Sequence, residues 1–225
     1  MRLWRQASIA LAAWLLLVAT PAWASVRMVF WSHDTTSYFP HAFFTLKGTV
    51  EATGEPVDTS YGFTLTSLNP LALFTSVSSR IDVTAKSYMR ASNAHFAVTL
   101  TDAQYASVMA LVEEWGRKGS KWNLNRRNCV HFVAEAARRA GLTVVEDKRL
   151  MKKPKSFTRS LIPLNEGRVS VIELSGPKFW AQSPEDEIFG VPEKINGKVL
   201  GRQINDKRLE QERDRPVQPQ GQPLP

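Results

Sequence analysis

The sequence predicts an α+β domain, an antiparallel sheet packed against helices. Three observations predict it. Strand-type runs crowd residues 26–100. Thr101-Asp102-Ala103-Gln104 has the form of a capping box and opens a run with apolar residues at helical spacing. Asn128, a good N-cap residue, precedes Cys129 at the head of a second helix.

The chain has 225 residues and a formal charge of +8, or +6 without Arg2 and Arg5. Those arginines begin a segment, residues 1–24, with an apolar centre and the small-residue ending Pro21-Ala22-Trp23-Ala24. It reads as an export signal cleaved after Ala24, which places the protein in the periplasm or outside the cell. Its apolar centre is shorter than the ~20 residues of a membrane span. Residues 25–175 are expected to form one domain. Residues 176–225 are expected to be a proline- and charge-rich extension, partly disordered, with 205–225 having little to bury. The modest positive charge suits peripheral contact with an anionic envelope surface, and equally serves solubility alone. No zinc-finger spacing, arginine-rich helix or aromatic-basic repeat marks a nucleic-acid binder.

Strands are expected at 26–33, at 41–50 after Pro40, and at 57–65, the last two forming a hairpin around Gly54-Glu55-Pro56. Residues 68–74 read as a short helix or a buried loop. Residues 81–85 and 95–100 are further strands. Tyr105, Val108, Met109, Val112 and Trp115 give the first long helix its core face. The second runs from Cys129 to a stop at Gly141. Residues 144–145 are a candidate short strand and 169–174 a late one. The basic stretch 148–159 reads as a solvated surface, with an anionic-substrate rim as the sharper alternative.

Cys129 is the only cysteine. At the first helical position the free N–H groups and helix dipole favour a thiolate and can receive the oxyanion of a tetrahedral intermediate. The plain alternative is a small buried residue that packs the helix. An exported lone thiol is a liability unless buried or used. A nucleophile needs a base. His41, at a strand start after the rigid Pro40, is the candidate among four histidines (His33, His41, His95, His131). His131 is ~200° around the helix from Cys129 and reads as structural. The histidines form no close ligand pair, so neither a metal nor a cofactor is expected.

Asn128-Cys129-Val130-His131-Phe132-Val133 resembles the Asn-Cys-x-His-Phe signature of the lecithin:retinol acyltransferase-like proteins. These belong to the circularly permuted papain-like cysteine hydrolases, relatives of the cell-wall amidases. The order of His41, a hairpin and then Asn128-Cys129 matches that group, and the match covers roughly residues 26–142. The resemblance implies a permuted papain-like core, a Cys129 nucleophile, a His41 base and a Cys129 N–H in the oxyanion hole. Acyltransferase-like members carry a second histidine on the next strand, and residues 53–64 have none. Tyr61 is the preferred group to orient His41, with Asp58, Thr64, His33 and Asp34 as rivals. The implied activity is an exported thiol hydrolase or acyltransferase, acting on a cell-wall peptide or an acyl lipid. The competing reading is a non-catalytic envelope protein that binds or scaffolds.

Overall fold

The computed structural model describes residues 25–34, 40–67 and 70–194. The expected export signal and the 205–225 tail lie outside them. The architecture is α+β. The strands are β1 (Val26–His33), β2 (His41–Thr49), β3 (Pro56–Leu65), β4 (Val77–Asp82), β5 (Asn93–Leu100), β6 (Lys121–Trp122) and β7 (Ser170–Ser175). Among the described residues they form one antiparallel sheet in the order β6-β4-β3-β2-β1-β5-β7. The helices are α1 (Lys86–Arg90), α2 (Asp102–Gly116), α3 (Cys129–Arg139), α4 (Pro154–Leu164) and α5 (Gly176–Gln182).

Alternation along β2 assigns the two faces of the sheet. Ala42, Phe44 and Leu46 lie in the core under α2, α3 and α4, with Phe63, Phe96 and Phe132. Phe44 stacks on Phe132 of α3 at 5.6 Å, and Trp115 of α2 meets Phe63 edge-on at 4.8 Å. Each such buried side chain contributes about 1.5–3 kcal/mol over an exposed one. Phe43 and Trp31 face the other way, into a second core with Met89 of α1 and Phe179 and Trp180 of α5.

Four expectations change. The strand expected at 81–85 is Val77–Asp82, because its ladder partners sit earlier: Ile81 pairs with Phe63, and Val77 with Trp122. No strand forms at 144–145. The Asn165 side chain takes the place of a neighbouring strand there, accepting from the Thr143 N–H at 2.8 Å and donating to the Thr143 carbonyl at 2.9 Å. The basic stretch is only partly solvated surface, since α4 starts with Pro154 at its first turn and buries Phe157 and Thr158.

The domain also does not stop at 175. Phe179, Trp180, Ile188 and Val191 are buried in the second core. The Phe189 N–H donates to the Asp58 carboxylate at 3.0 Å, and the Lys86 N–H donates to the Pro192 carbonyl at 3.0 Å. Apolar residues spaced among prolines and charges were enough to close this face.

Candidate functional site

Asn128 fixes the start of α3. Its Oδ1 accepts from the N–H groups of Val130 at 2.8 Å and His131 at 3.2 Å. Its Nδ2 donates to the carbonyls of Leu124 at 2.8 Å and Met151 at 2.9 Å. His131 completes a capping box, with Nδ1 3.4 Å from the Asn128 amide nitrogen. Burial lowers the His131 pKa and favours the neutral ring, whose Nδ1 also lies 3.0 Å from Asn128 Oδ1. The histidine of the signature is therefore a capping residue here. His131→Ala is expected to cost about 1 kcal/mol in urea unfolding, and His131→Gln to recover most of it.

With this cap Cys129 is the first residue of α3 and is 8% exposed. Its thiol points to the Pro40 carbonyl, 4.0 Å away. The backbone N–H groups of Ala42, Val130 and Cys129 itself are turned toward the sulfur and favour the thiolate. The sulfur thus lies against the backbone on both sides of His41. Burial outweighs those donors and pushes the thiol up to about 11. Exposed helix-terminal stabilisation is typically 0.3–1 kcal/mol, less than the cost of burying an unpaired thiolate. Iodoacetamide alkylation of Cys129 is therefore expected to be slow at pH 7. It should run about 300-fold below a free cysteine of pKa about 8.5 on thiolate fraction alone, and climb as pH rises toward 11. In urea the thiol should titrate near the ordinary value. Folded protein that alkylates fastest below pH 8 would show that burial does not govern the thiol.

The His41 imidazole lies along the Phe43 side of β2, with ring centroids 6.0 Å apart. It passes over Gly62 of β3, where a Cβ would stand 2.5 Å from Nε2. That nitrogen is buried and has no hydrogen-bond partner, so the Cys129 thiol does not donate to it. Burial, followed by the charges of His33 and Arg80, pulls His41 down to about 4. The structure brings Cys129 to the backbone of His41 and leaves both side chains neutral near pH 7.

Tyr61 is placed elsewhere. It pairs with Phe44 and packs 6.0 Å from that ring, on the sheet face under α3 and opposite the His41 imidazole. Asp58 is taken up by Lys47 at 2.8 Å and the Phe189 N–H. Asp34 pairs with Lys155 at 3.0 Å. His33 lies opposite His41 in the β1–β2 register.

Two residues that sequence reasoning missed join His41. Asp82 pairs with Gly62 and so shares the His41 face of the sheet. Burial raises its carboxyl to about 7 despite Arg80 Nε at 3.5 Å, whose attraction burial outweighs. Tyr88 of α1 stacks 4.2 Å from His33 and meets the His41 ring edge-on at 6.4 Å. Burial first, then the nearby Cys129 and Asp82 charges, raise its phenol. Neither residue lies in a recognisable motif. A long-range ladder places Asp82, and the packing of a five-residue helix places Tyr88.

A second polar row crosses the other side of the sheet. Ser32 Oγ is 2.8 Å from His95 Nε2, and His95 Nδ1 is 3.1 Å from Glu173 Oε1. Arg159 holds the same Glu173 oxygen at 3.2 Å. Glu173 has φ 53°, the one positive value among described non-glycine residues. The order is that of a nucleophile, a base and an acid. Ser32 and His95 are fully buried, however, so nothing outside reaches the hydroxyl. The row braces β1, β5 and β7. It ends at Ser32, the register partner of Ala42, whose amide serves Cys129.

Among the described residues no group of acidic, cysteine and histidine side chains is gathered for a metal ion. No helix among them is long and apolar enough to cross a membrane. No family model, curated protein or solved structure matches the chain.

Proposed function

We propose that the protein is an exported thiol hydrolase or acyltransferase in which Cys129 attacks an amide or ester carbonyl. One observation carries this reading. The sulfur sits at a helix start among three backbone N–H groups, against the strand start that bears a buried, unpartnered His41 Nε2. Because thiol and imidazole are both neutral at rest, proton transfer accompanies attack rather than preceding it. The C–S bond forms as the thiol proton passes to His41, whose ring must turn from the Phe43 face toward the sulfur to receive it. Backbone N–H groups at the start of α3 receive the oxyanion. The imidazolium then protonates the leaving oxygen or nitrogen as the acyl bond breaks, and water or another acceptor releases the acyl group. Asp82 takes the orienting role first assigned to Tyr61. It is on the His41 face, and with a carboxyl value of about 7 its ionised form, held beside Arg80, is available near neutral pH to stabilise the imidazolium.

The test uses p-nitrophenyl butyrate and intact-mass detection of a butyryl adduct on Cys129. Wild type is expected to acylate, and His41→Ala to acylate at least ~100-fold more slowly, the usual size of a general-base contribution. Equal rates in the two chains would overturn the assignment of His41. The other reading, a non-catalytic envelope protein, is favoured by the burial of Cys129 and its raised pKa. It predicts no adduct in either chain.

A further inference from the structure

We propose that the turn at residues 70–74 is a membrane-docking tip that inserts into an anionic phospholipid bilayer. Pro70–Leu73 is a single 3₁₀ turn. Its Ala72 is buried, and the N–H groups of Phe74 and Thr75 both close on the Leu71 carbonyl, at 3.0 and 2.9 Å. This bracing holds the large apolar side chains outward: Leu71 is 59% exposed, Leu73 44% and Phe74 85%. A turn that only served the core would turn those three side chains inward.

The surroundings are cationic. Residue 77 begins β4, which pairs with β6 through Val77 with Trp122 and Ser78 with Lys121. Asn123 Nδ2 donates to Ser76 Oγ at 3.1 Å, tying the tip to the next loop. That loop region exposes Arg117, Lys118, Lys121 and Arg126, and the sequence has no carboxylate between Glu114 and Glu135. An apolar tip beside cations fits a bilayer whose headgroups carry negative charge. It does not fit a stable protein partner, since one turn is far smaller than the roughly 800 Å² per side of a specific interface. The same basic loop runs into Asn128 and Cys129, so docking here would bring the start of α3 to the lipid boundary.

The inference goes beyond the thiol chemistry and does not depend on it. Vesicle co-sedimentation tests it, using the chain from Ser25 onward, which holds every described element. Wild type and Cys129→Ala are both expected to sediment with vesicles of phosphatidylglycerol and phosphatidylcholine. Both should stay in solution with phosphatidylcholine alone, and raised salt should release them. The Leu71→Asp/Phe74→Asp chain should bind at least ~10-fold more weakly with an unchanged near-UV spectrum, and Lys121→Glu/Arg126→Glu should lose the preference for anionic lipid. Wild type that stays in solution with anionic vesicles, or an Asp variant that sediments like wild type, would overturn the proposal. A wild-type dimer that the Asp variant dissolves, with no vesicle binding, would also overturn it and assign the tip to a second copy of the chain.

Discussion

A Cys129→Ala chain is expected to fold and to form no acyl adduct, with ester turnover falling to the rate without protein. The substitution removes one buried sulfur and leaves the Asn128 cap intact, so the stability cost should be about 1 kcal/mol. Catalysis should respond quite differently, because no other group can form the thioester. The buried row of Ser32, His95 and Glu173 sharpens the test. If ester turnover survives Cys129→Ala and disappears in Ser32→Ala, the thiol mechanism is wrong and the serine row opens in solution. If Ser32→Ala lowers stability and leaves the Cys129 adduct unchanged, the row is a brace, as its burial indicates.

Gly48→Ala is expected to lose roughly 3–5 kcal/mol of stability, the sum of backbone strain and overpacking. Gly48 has φ +141°, and a Cβ there would stand 2.0 Å from the Ser25 carbonyl oxygen. That oxygen accepts from the Thr49 N–H at 3.3 Å, so it cannot withdraw without loosening the start of the β1–β2 ladder. Gly54 is the control. Its φ is +69°, and a Cβ would meet nothing within 4 Å, so alanine should cost only about 1 kcal/mol of strain there. Urea midpoints for the two variants separate the terms. Equal losses would mean that β1 shifts to accept the new methyl.

The local features of the site were legible. Asn128 before Cys129 announces a cap, and Thr101 with Gln104 announces another; both capping boxes are present. Such signals act over four residues and need no partner elsewhere in the chain. The strand runs at 26–33 and 57–65 were legible for the same reason, since strand-type composition is a local property. The third member of the site was not. Tyr61 attracted attention because it lies one strand beyond His41, yet its parity turns it to the opposite face. Choosing Asp82 needs the β3–β4 register, which places it behind Gly62 and which no local pattern specifies. The extension beyond 175 misled by composition: prolines and charges outnumber its four core residues, but those four fill the second face.

The sequence by itself determined strands β1, β2, β3, β5 and β7 to within a residue or two, helices α2 and α3, the α+β class, and the position of a lone cysteine at a capped helix start. These follow from periodicity and capping, which bind neighbours within one or two turns. Only the tertiary structure decided the environment of that cysteine. Packing α3 on the sheet buried the sulfur and raised its pKa, reversing what the helix start alone would favour. Folding β3 against β4 put Asp82 on the His41 face, and seating α1 under residues 186–193 put Tyr88 there. Desolvation and register are properties of contacts between distant segments. They shift the titration of Cys129, His41, Asp82 and Tyr88, and residue order alone does not contain them.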